Sequence, residues 1–240
     1  MKEVFEQKFT LRVDEIDFKN KVKIESIFEY LQEAATLHSI NLGFDKNYMD
    51  EHYSFWVLSR VSLEIFDYAG FEEEIRVKTW PSGNKKFLFG RDYIITNTSN
   101  EKIMEASSIW AVMNKQTRSL DLNPKFVNYI NVENQGSLIT TKKVFFDEEE
   151  NYVSKIKEIV YSDLDVNKHV NNTTFIKWMF DLLDIDFLSS HQAKRIDINY
   201  LNEIKPNTIL RLEYYTKDNI TYFRGINDEL TFFNSSITWG

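Results

Sequence analysis

An internal repeat is the feature that most limits what this chain can fold into. The order turn, amphipathic helix, strand, strand occurs twice, first from residue 14 and again from residue 162. The two copies align as D-E-I-D (14–17) with S-D-L-D (162–165), and then as R-V-S-L-E-I (60–65) with R-I-D-I-N-Y (195–200). Because each copy can bury a helix against one face of a sheet, the repeat predicts two related α+β units.

Apolar periodicity identifies the helix and strands of each copy. A helix of about four turns is predicted in the first copy by the 3.6-residue spacing of its apolar residues, namely Ile24, Ile27, Phe28, Leu31, Ala35 and His38. Phe175, Ile176 and Met179 occupy the matching places in the second copy. Strand-like runs lie at 8–13, 56–66, 74–80, 87–97 and 104–114. The first copy is longer between helix and strand, and we expect its extra residues in the connection 38–54.

A polar, acidic stretch separates the two copies. N-V-E-N-Q-G-S (131–137) and F-D-E-E-E-N (146–151) interrupt the apolar pattern, which is typical of a solvated linker. We therefore predict an N-terminal unit at 1–130, a linker at 131–150 and a C-terminal unit at 151–240.

Composition excludes several functional classes. The formal net charge of −8 argues against binding to nucleic acid, and the absence of cysteine rules out disulfides, a thiolate nucleophile and a thiolate-bound metal. No run approaches the ~20 apolar residues of a membrane span. The charged start M-K-E-V-F-E shows no export signal, so the expected location is the cytoplasm.

The segment Y-S-D-L-D-V-N-K-H-V-N-N-T-T-F (161–175) concentrates polar side chains in front of the second helix. Asp165, Asn167 and His169 are spaced by two, so their side chains would point the same way wherever the backbone is extended. The free N–H groups of the following helix would face them, and together these groups could bind and attack a carbonyl. The alternative is an ordinary polar turn with an Asn or Thr helix cap.

The repeat helps to separate structural from functional residues. Asn167 and His169 are replaced in the first copy by Lys19 and Lys21. Residues that are needed only for folding should tend to recur in both copies, so the absence of this pair from the first copy favours a functional role.

Two carboxylates behave differently in the same comparison. Glu203 stands where the first copy has Tyr68, whereas Asp165 recurs as Asp17. We therefore expect Asp165 to be partly structural, for example in holding the turn before the helix. Considered without the 161–175 segment, Glu203 would be interpreted as an exposed carboxylate at a strand end. The remaining histidines are interpreted as structural or surface residues, namely His38, His52 and His191.

The segment S-D-L-D-V-N-K-H-V-N-N-T-T-F-I-K-W-M closely resembles the active-site segment of the acyl-acyl carrier protein thioesterases, which end fatty-acid synthesis. N-Y-L-N-E-I-K-P-N (199–207) resembles the second catalytic segment of that family. Further similarities lie at W-V-L-S-R-V (56–61), T-W (79–80), R-D-Y (91–93), I-W-A-V-M-N (109–114) and T-R (117–118). The resemblance implies an α+β double hotdog, two repeats that each wrap an antiparallel sheet around a long helix, with the catalytic residues in the C-terminal unit.

Residue by residue, the resemblance places the family's catalytic Asp, Asn, His and Glu at Asp165, Asn167, His169 and Glu203. Plant members carry a cysteine directly after the Glu, whereas this chain has Ile204. A cysteine mechanism is therefore excluded here. The plant enzymes also begin with a plastid transit peptide, which is not visible in this sequence, so the chain resembles the shorter bacterial members.

The implied chemistry is hydrolysis of a thioester. Glu203 and His169 would hold and deprotonate a water, and the Asn167 amide with the N–H groups of 171–173 would stabilise the oxyanion. Asp165 would support the turn. Direct attack by Glu203, through an anhydride, stays open as an alternative.

The implied partner is acyl carrier protein, with its acyl chain on a 4'-phosphopantetheine arm. Lys19–Lys23 and Asn84–Lys86 are candidate landing sites for this acidic partner. No cofactor and no metal are expected, because no histidine pair has ligand spacing with a carboxylate. An acyl-coenzyme A thioesterase and a non-catalytic acyl-binding protein are the alternatives, and the sequence leaves open both the chain length and the choice between a monomer and a homodimer.

Overall fold

The structure, a computed structural model, describes residues 4–121 and 139–240. The chain forms two compact units, Met1–Thr141 and Lys142–Gly240. The linker predicted at 131–150 lies partly outside the described residues, and Lys142 falls within it. The predicted unit boundaries at 130 and 150 therefore stay predictions.

The first unit is one long helix with a five-stranded antiparallel sheet. In chain order the elements are β1 (Phe5–Thr10), a 3-10 turn (Val13–Glu15), α1 (Ile24–Asn41), α2 (Lys46–Glu51), β2 (Ser54–Ile65), β3 (Glu74–Lys85), β4 (Leu88–Thr96) and β5 (Lys102–Asn114). The strands lie in the order β1-β3-β4-β5-β2.

Helix α1 forms where the apolar spacing predicts it, and all six predicted residues of its stripe are buried. Strand β1 contacts the helix through stacked rings, with Phe9 against Tyr30 at 4.2 Å between centroids. The helix has 18 residues, more than the predicted four turns. It ends where Gly43 adopts a φ of 90°, a left-handed conformation that suits glycine after a helix.

The second unit repeats this plan. In chain order its elements are β6 (Val153–Glu158), a 3-10 turn (Tyr161–Asp163), α3 (Asn172–Asp181), α4 (Ile185–Ser190), β7 (Ala193–Tyr200), β8 (Ile209–Lys217), β9 (Ile220–Ile226) and β10 (Thr231–Trp239). The strands lie in the order β7-β10-β9-β8-β6. Phe175 of α3 packs edge-on against Phe233 of β10, with ring centroids 5.0 Å apart.

The predicted repeat is confirmed, element by element and in the same strand order, so the α+β prediction is also confirmed. The expected position of the extra residues is wrong. They do not form a long connection, because α1 has 18 residues where α3 has 10, and β2 has 12 where β7 has 8. The first strand also differs from the predicted 8–13. It ends at Thr10 because the chain turns at Val13–Glu15, where the Glu15 carboxylate accepts the Arg12 N–H at 2.7 Å.

Candidate active site

Asp165 organises the turn between the second 3-10 segment and α3. Its Oδ1 accepts the backbone N–H groups of Asn167 at 2.8 Å and of His169 at 3.0 Å. Its own N–H donates to the His169 carbonyl at 2.7 Å. A bridge between Leu164 and Val170 closes the turn. The side chain of Asp165 is therefore bound to the backbone that carries the other two polar residues.

The first unit builds the same turn. Oδ1 of Asp17 accepts the N–H groups of Lys19 at 2.8 Å and of Lys21 at 2.9 Å. The expected turn-holding role of Asp165 is thereby confirmed. Asp165, Asn167 and His169 were expected to point the same way only where the backbone is extended. That condition is not met, because residues 165–169 form a tight turn.

His169 and Glu203 come together from two separate segments. Nε2 of His169 lies 3.8 Å from Oε2 of Glu203, and the two side chains are 26% and 29% exposed. The Val170 N–H donates to the Ile204 carbonyl at 3.0 Å, which ties the two segments directly beside this pair. Ile204 is buried, and the Asn202 side chain donates to the Thr231 carbonyl at 2.7 Å. The backbone on both sides of Glu203 is therefore anchored.

The equivalent positions of the first unit also meet. The Lys21 ammonium lies over the Tyr68 ring, 5.1 Å from its centroid, and the Val22 N–H donates to the Ala69 carbonyl at 2.9 Å. The fold therefore brings these two positions together in each unit. Within the described residues, the second unit alone places an imidazole and a carboxylate there.

Asn167 lies in the turn with its side chain exposed. Its Nδ2 is 3.5 Å from Oδ2 of Asp165, at the outer limit of a hydrogen bond. An exposed amide with donor capacity remaining can bind another acceptor next to His169. The structure thus brings His169 close to Glu203 and places Asp165 and Asn167 in the adjoining turn.

The start of α3 holds fewer free donors than expected. Asn171 caps the helix, as its side chain accepts the Thr173 N–H at 3.2 Å. Its own N–H donates to the Asp163 carbonyl at 2.9 Å. Two of the three N–H groups expected for an oxyanion are therefore already used. The N–H of Asn172 donates to no group of the described chain, and the Tyr200 hydroxyl fixes the Asn172 carbonyl at 3.1 Å.

Asp163 is a residue that the sequence reasoning did not single out. Its carboxylate is buried and accepts the Val160 N–H at 2.9 Å and the Trp178 Nε1–H at 3.2 Å. It also forms an ion pair with the Lys157 ammonium at 2.8 Å. Burial alone would raise the pKa of Asp163, but the bonds from Lys157 and Val160 hold that pKa below its ordinary value. The signal was a carboxylate at this place in both copies, since Glu15 bonds the Arg12 N–H in the same way.

Within residues 4–121 and 139–240, no group of three His, Asp or Glu side chains is arranged to hold a metal ion. None of the helices there is long and apolar enough to cross a membrane.

Comparison with known families gives two matches. Residues 2–130 match the acyl-ACP thioesterase N-terminal domain, and residues 147–231 match the acyl-ACP thioesterase C-terminal domain. A chloroplastic palmitoyl-acyl carrier protein thioesterase of Gossypium hirsutum is 30% identical over 224 residues, 87% of this chain and 54% of that protein. The chloroplastic oleoyl-acyl carrier protein thioesterase 2 of Arabidopsis thaliana is 28% identical, over 86% of this chain and 61% of that protein. The chain thus spans little more than half of these relatives.

Solved structures share the fold over nearly the whole chain. An acyl-ACP thioesterase from Bacteroides thetaiotaomicron superposes with a TM-score of 0.89 at 21% identity, covering 99% of this chain and 98% of that one. A 12:0-ACP thioesterase from Umbellularia californica gives 0.86 at 20% identity, covering 100% and 98%. At these identities the likeness concerns the fold, and it confirms the double hotdog.

Proposed function

The chain belongs to the acyl-ACP thioesterase family, and on that premise we propose that it hydrolyses acyl-acyl carrier protein and releases a free fatty acid, ending fatty-acid synthesis. The observation that carries the proposal is the 3.8 Å approach of His169 Nε2 to Glu203 Oε2. An imidazole beside a carboxylate is suited to moving a proton from water, and the corresponding pair in the first unit is Lys21 with Tyr68.

The proposed step begins with a water bound by both His169 and Glu203. A separation of 3.8 Å is too long for a direct hydrogen bond, but one water oxygen can lie within reach of both atoms. Glu203 takes a proton from this water while the water oxygen bonds to the thioester carbon. The carbon–sulfur bond then breaks, the proton passes to the leaving thiolate, and a carboxylic acid and the thiol of the arm remain. A positioned general base contributes about 10²–10⁴-fold in rate.

The oxyanion formed in this step needs donors. We assign the Asn172 N–H and the Asn167 side-chain amide to this role, because both lie within about three residues of His169 along the chain and have donor capacity remaining. Loss of one such donor costs roughly 2.7–4 kcal/mol in transition-state stabilisation. Asp165 acts through the turn, where it holds the backbone of Asn167 and His169.

Attack by Glu203 itself, through an acyl anhydride, is the competing mechanism. Hydrolysis of the anhydride in labelled water distinguishes the two routes. Under single turnover in labelled water, opening of the anhydride at the Glu203 carbonyl leaves the label in Glu203 and passes an unlabelled Glu203 oxygen to the acid. The general-base route leaves Glu203 unlabelled and puts the label in the acid, so label in Glu203 identifies direct attack.

The proposed partner is acyl carrier protein with a 4'-phosphopantetheine-linked acyl chain. The landing sites predicted at Lys19–Lys23 and Asn84–Lys86 stay predictions. In the first stretch, Lys23 donates to the Asp14 carbonyl at 2.8 Å and Lys21 lies over Tyr68, whereas Lys85 and Lys86 of the second are exposed. A cytoplasmic location and a homodimer likewise stay predictions.

The proposal is tested by the ratio of kcat/KM for acyl carrier protein and coenzyme A thioesters of the same acyl group. We expect a clear preference for the carrier protein, and a screen over acyl lengths then gives the chain-length preference. A strong preference for coenzyme A would replace the carrier-protein assignment with the acyl-coenzyme A alternative. No turnover of either substrate would favour a non-catalytic acyl-binding protein.

A further inference from the structure

Two exposed lysines flank the His169–Glu203 pair. Lys168 directly precedes His169, and Lys205 follows Glu203 by two positions. The Val170-to-Ile204 backbone hydrogen bond of 3.0 Å holds the two segments side by side. Both lysines are exposed, and no carboxylate of the described chain pairs with either. Two positive charges without a carboxylate partner in the described chain therefore lie on the two segments that carry the proposed site.

The fold does not require a lysine at either position. The first unit builds the same turn with Asn20 in place of Lys168 and the same backbone contact with Gly70 in place of Lys205. Lys168 has a φ of 60° and Asn20 a φ of 57°. This left-handed conformation suits asparagine better than lysine. The second unit thus carries a long cationic side chain at a position where the backbone favours asparagine.

The two lysines lie on a protein that is acidic as a whole. The whole chain carries a formal net charge of −8, so an acidic partner is repelled unless it meets a basic site. The neighbouring carboxylates are directed to other groups, since Asp165 accepts two backbone N–H groups and Glu203 faces His169. Complementary charge of this kind steers association and fixes the orientation of the complex.

We infer that Lys168 and Lys205 dock the acidic surface of the carrier protein beside the site, so that its acylated arm enters at His169 and Glu203. This inference rests on the proposed function and identifies, in the second unit, the surface that selects the carrier protein. It is distinct from the landing sites predicted at Lys19–Lys23 and Asn84–Lys86.

The test uses the variants K168N and K205Q, alone and combined, on the full chain. Three thioesters of one acyl group are compared, carried by acyl carrier protein, coenzyme A and pantetheine. We expect the double variant to raise KM for the carrier-protein substrate about tenfold with little change in kcat, an effect that added salt reduces. Hydrolysis of the other two thioesters should be unchanged. K168N should keep the wild-type unfolding midpoint, because asparagine tolerates the backbone at this position.

Lys194 is the matched control. It is exposed and lies on β7 at the end opposite to Glu203, so K194Q should leave kcat and KM unchanged for all three substrates. An unchanged KM for the carrier-protein substrate in the double variant would overturn the inference. Equal losses with carrier protein and coenzyme A would also overturn it, since the lysines would then bind the phosphate of the 4'-phosphopantetheine arm that both substrates share.

Direct titration with unacylated carrier protein separates this inference from the proposed function. Weaker binding by the double variant supports docking even if the wild type hydrolyses none of the three thioesters, an outcome that would refute the function alone. Equal binding by the wild type and the double variant would overturn the docking surface.

Discussion

Nε2 of His169 lies 3.8 Å from Oε2 of Glu203, although the two residues come from different segments. The equivalent positions of the first unit hold Lys21 over Tyr68. The fold therefore brings the same two positions together in each unit, and the two units differ in which side chains occupy them. This provides internal controls, because each substitution in the second unit has a counterpart in the first.

Asp165→Ala should lower both stability and activity. The substitution removes the acceptor of two backbone N–H groups, and hydrogen bonds to a charged group contribute about 1.5–3 kcal/mol when protected from water. Since this site is partly exposed, we expect a loss of ~1–2 kcal/mol in unfolding free energy and at least a ~10-fold lower kcat. Asp17→Ala should lose similar stability but keep kcat. Equal loss of kcat in both variants would contradict the assignment of the site to the second unit.

Asn172→Pro tests the oxyanion donor. Proline is tolerated at the first position of a helix because the N–H there has no helical partner. Asn171 already has the extended backbone, φ −63° and ψ 138°, that a following proline requires. We expect an intact fold with kcat reduced roughly 10²–10³-fold. Asn172→Ala keeps the N–H and should stay near wild type. If both variants have the same kcat, this N–H is not a donor to the oxyanion.

Asp163→Asn should lower stability in a pH-dependent manner. The folded pKa of Asp163 lies below its ordinary value, so the unfolded chain binds this proton more tightly and acid favours unfolding. The stabilisation is therefore complete at pH values above the unfolded pKa of about 3.9, and it is lost as the pH falls through the lower folded pKa. The variant should melt below wild type at pH 7, with the gap closing below about pH 4.

Thermal unfolding followed by circular dichroism between pH 3 and 8 measures this gap. Glu229→Gln, a change to an exposed carboxylate, serves as the control and should track wild type throughout. A gap for Asp163→Asn that persists unchanged at pH 3 would show that the carboxylate charge is not the source of the stability.

Much of the fold could be predicted from the sequence because apolar periodicity reports directly on burial. The α1 stripe and the repeat both follow from it. The ends of the elements could not be predicted, since tertiary contacts set them. Strand β1 ends at Thr10 because the Glu15 carboxylate accepts the Arg12 backbone N–H. The extra residues of the first unit lengthen α1 and β2 instead of forming a loop.

Some features of the candidate site could likewise be predicted from the sequence, and others could not. The comparison of the two copies predicted that Asn167, His169 and Glu203 differ from the residues that hold the fold. The Asn171 cap that occupies the Thr173 N–H was among the expectations. The occupied N–H of Asn171 could not be predicted, because the Asp163 carbonyl that binds it is fixed only when the turn is folded. Asp163 was missed since its partners Lys157 and Trp178 lie on β6 and α3.

The most direct test measures kcat for release of thiol from acyl carrier protein by wild type, His169→Ala and Glu203→Gln. Tyr68→Ala, at the position equivalent to Glu203 in the first unit, is the control. We predict that the wild type and Tyr68→Ala turn over alike, and that each substitution at His169 or Glu203 lowers kcat at least about 10²-fold with the unfolding midpoint preserved. Near-normal kcat in both His169→Ala and Glu203→Gln would contradict the account.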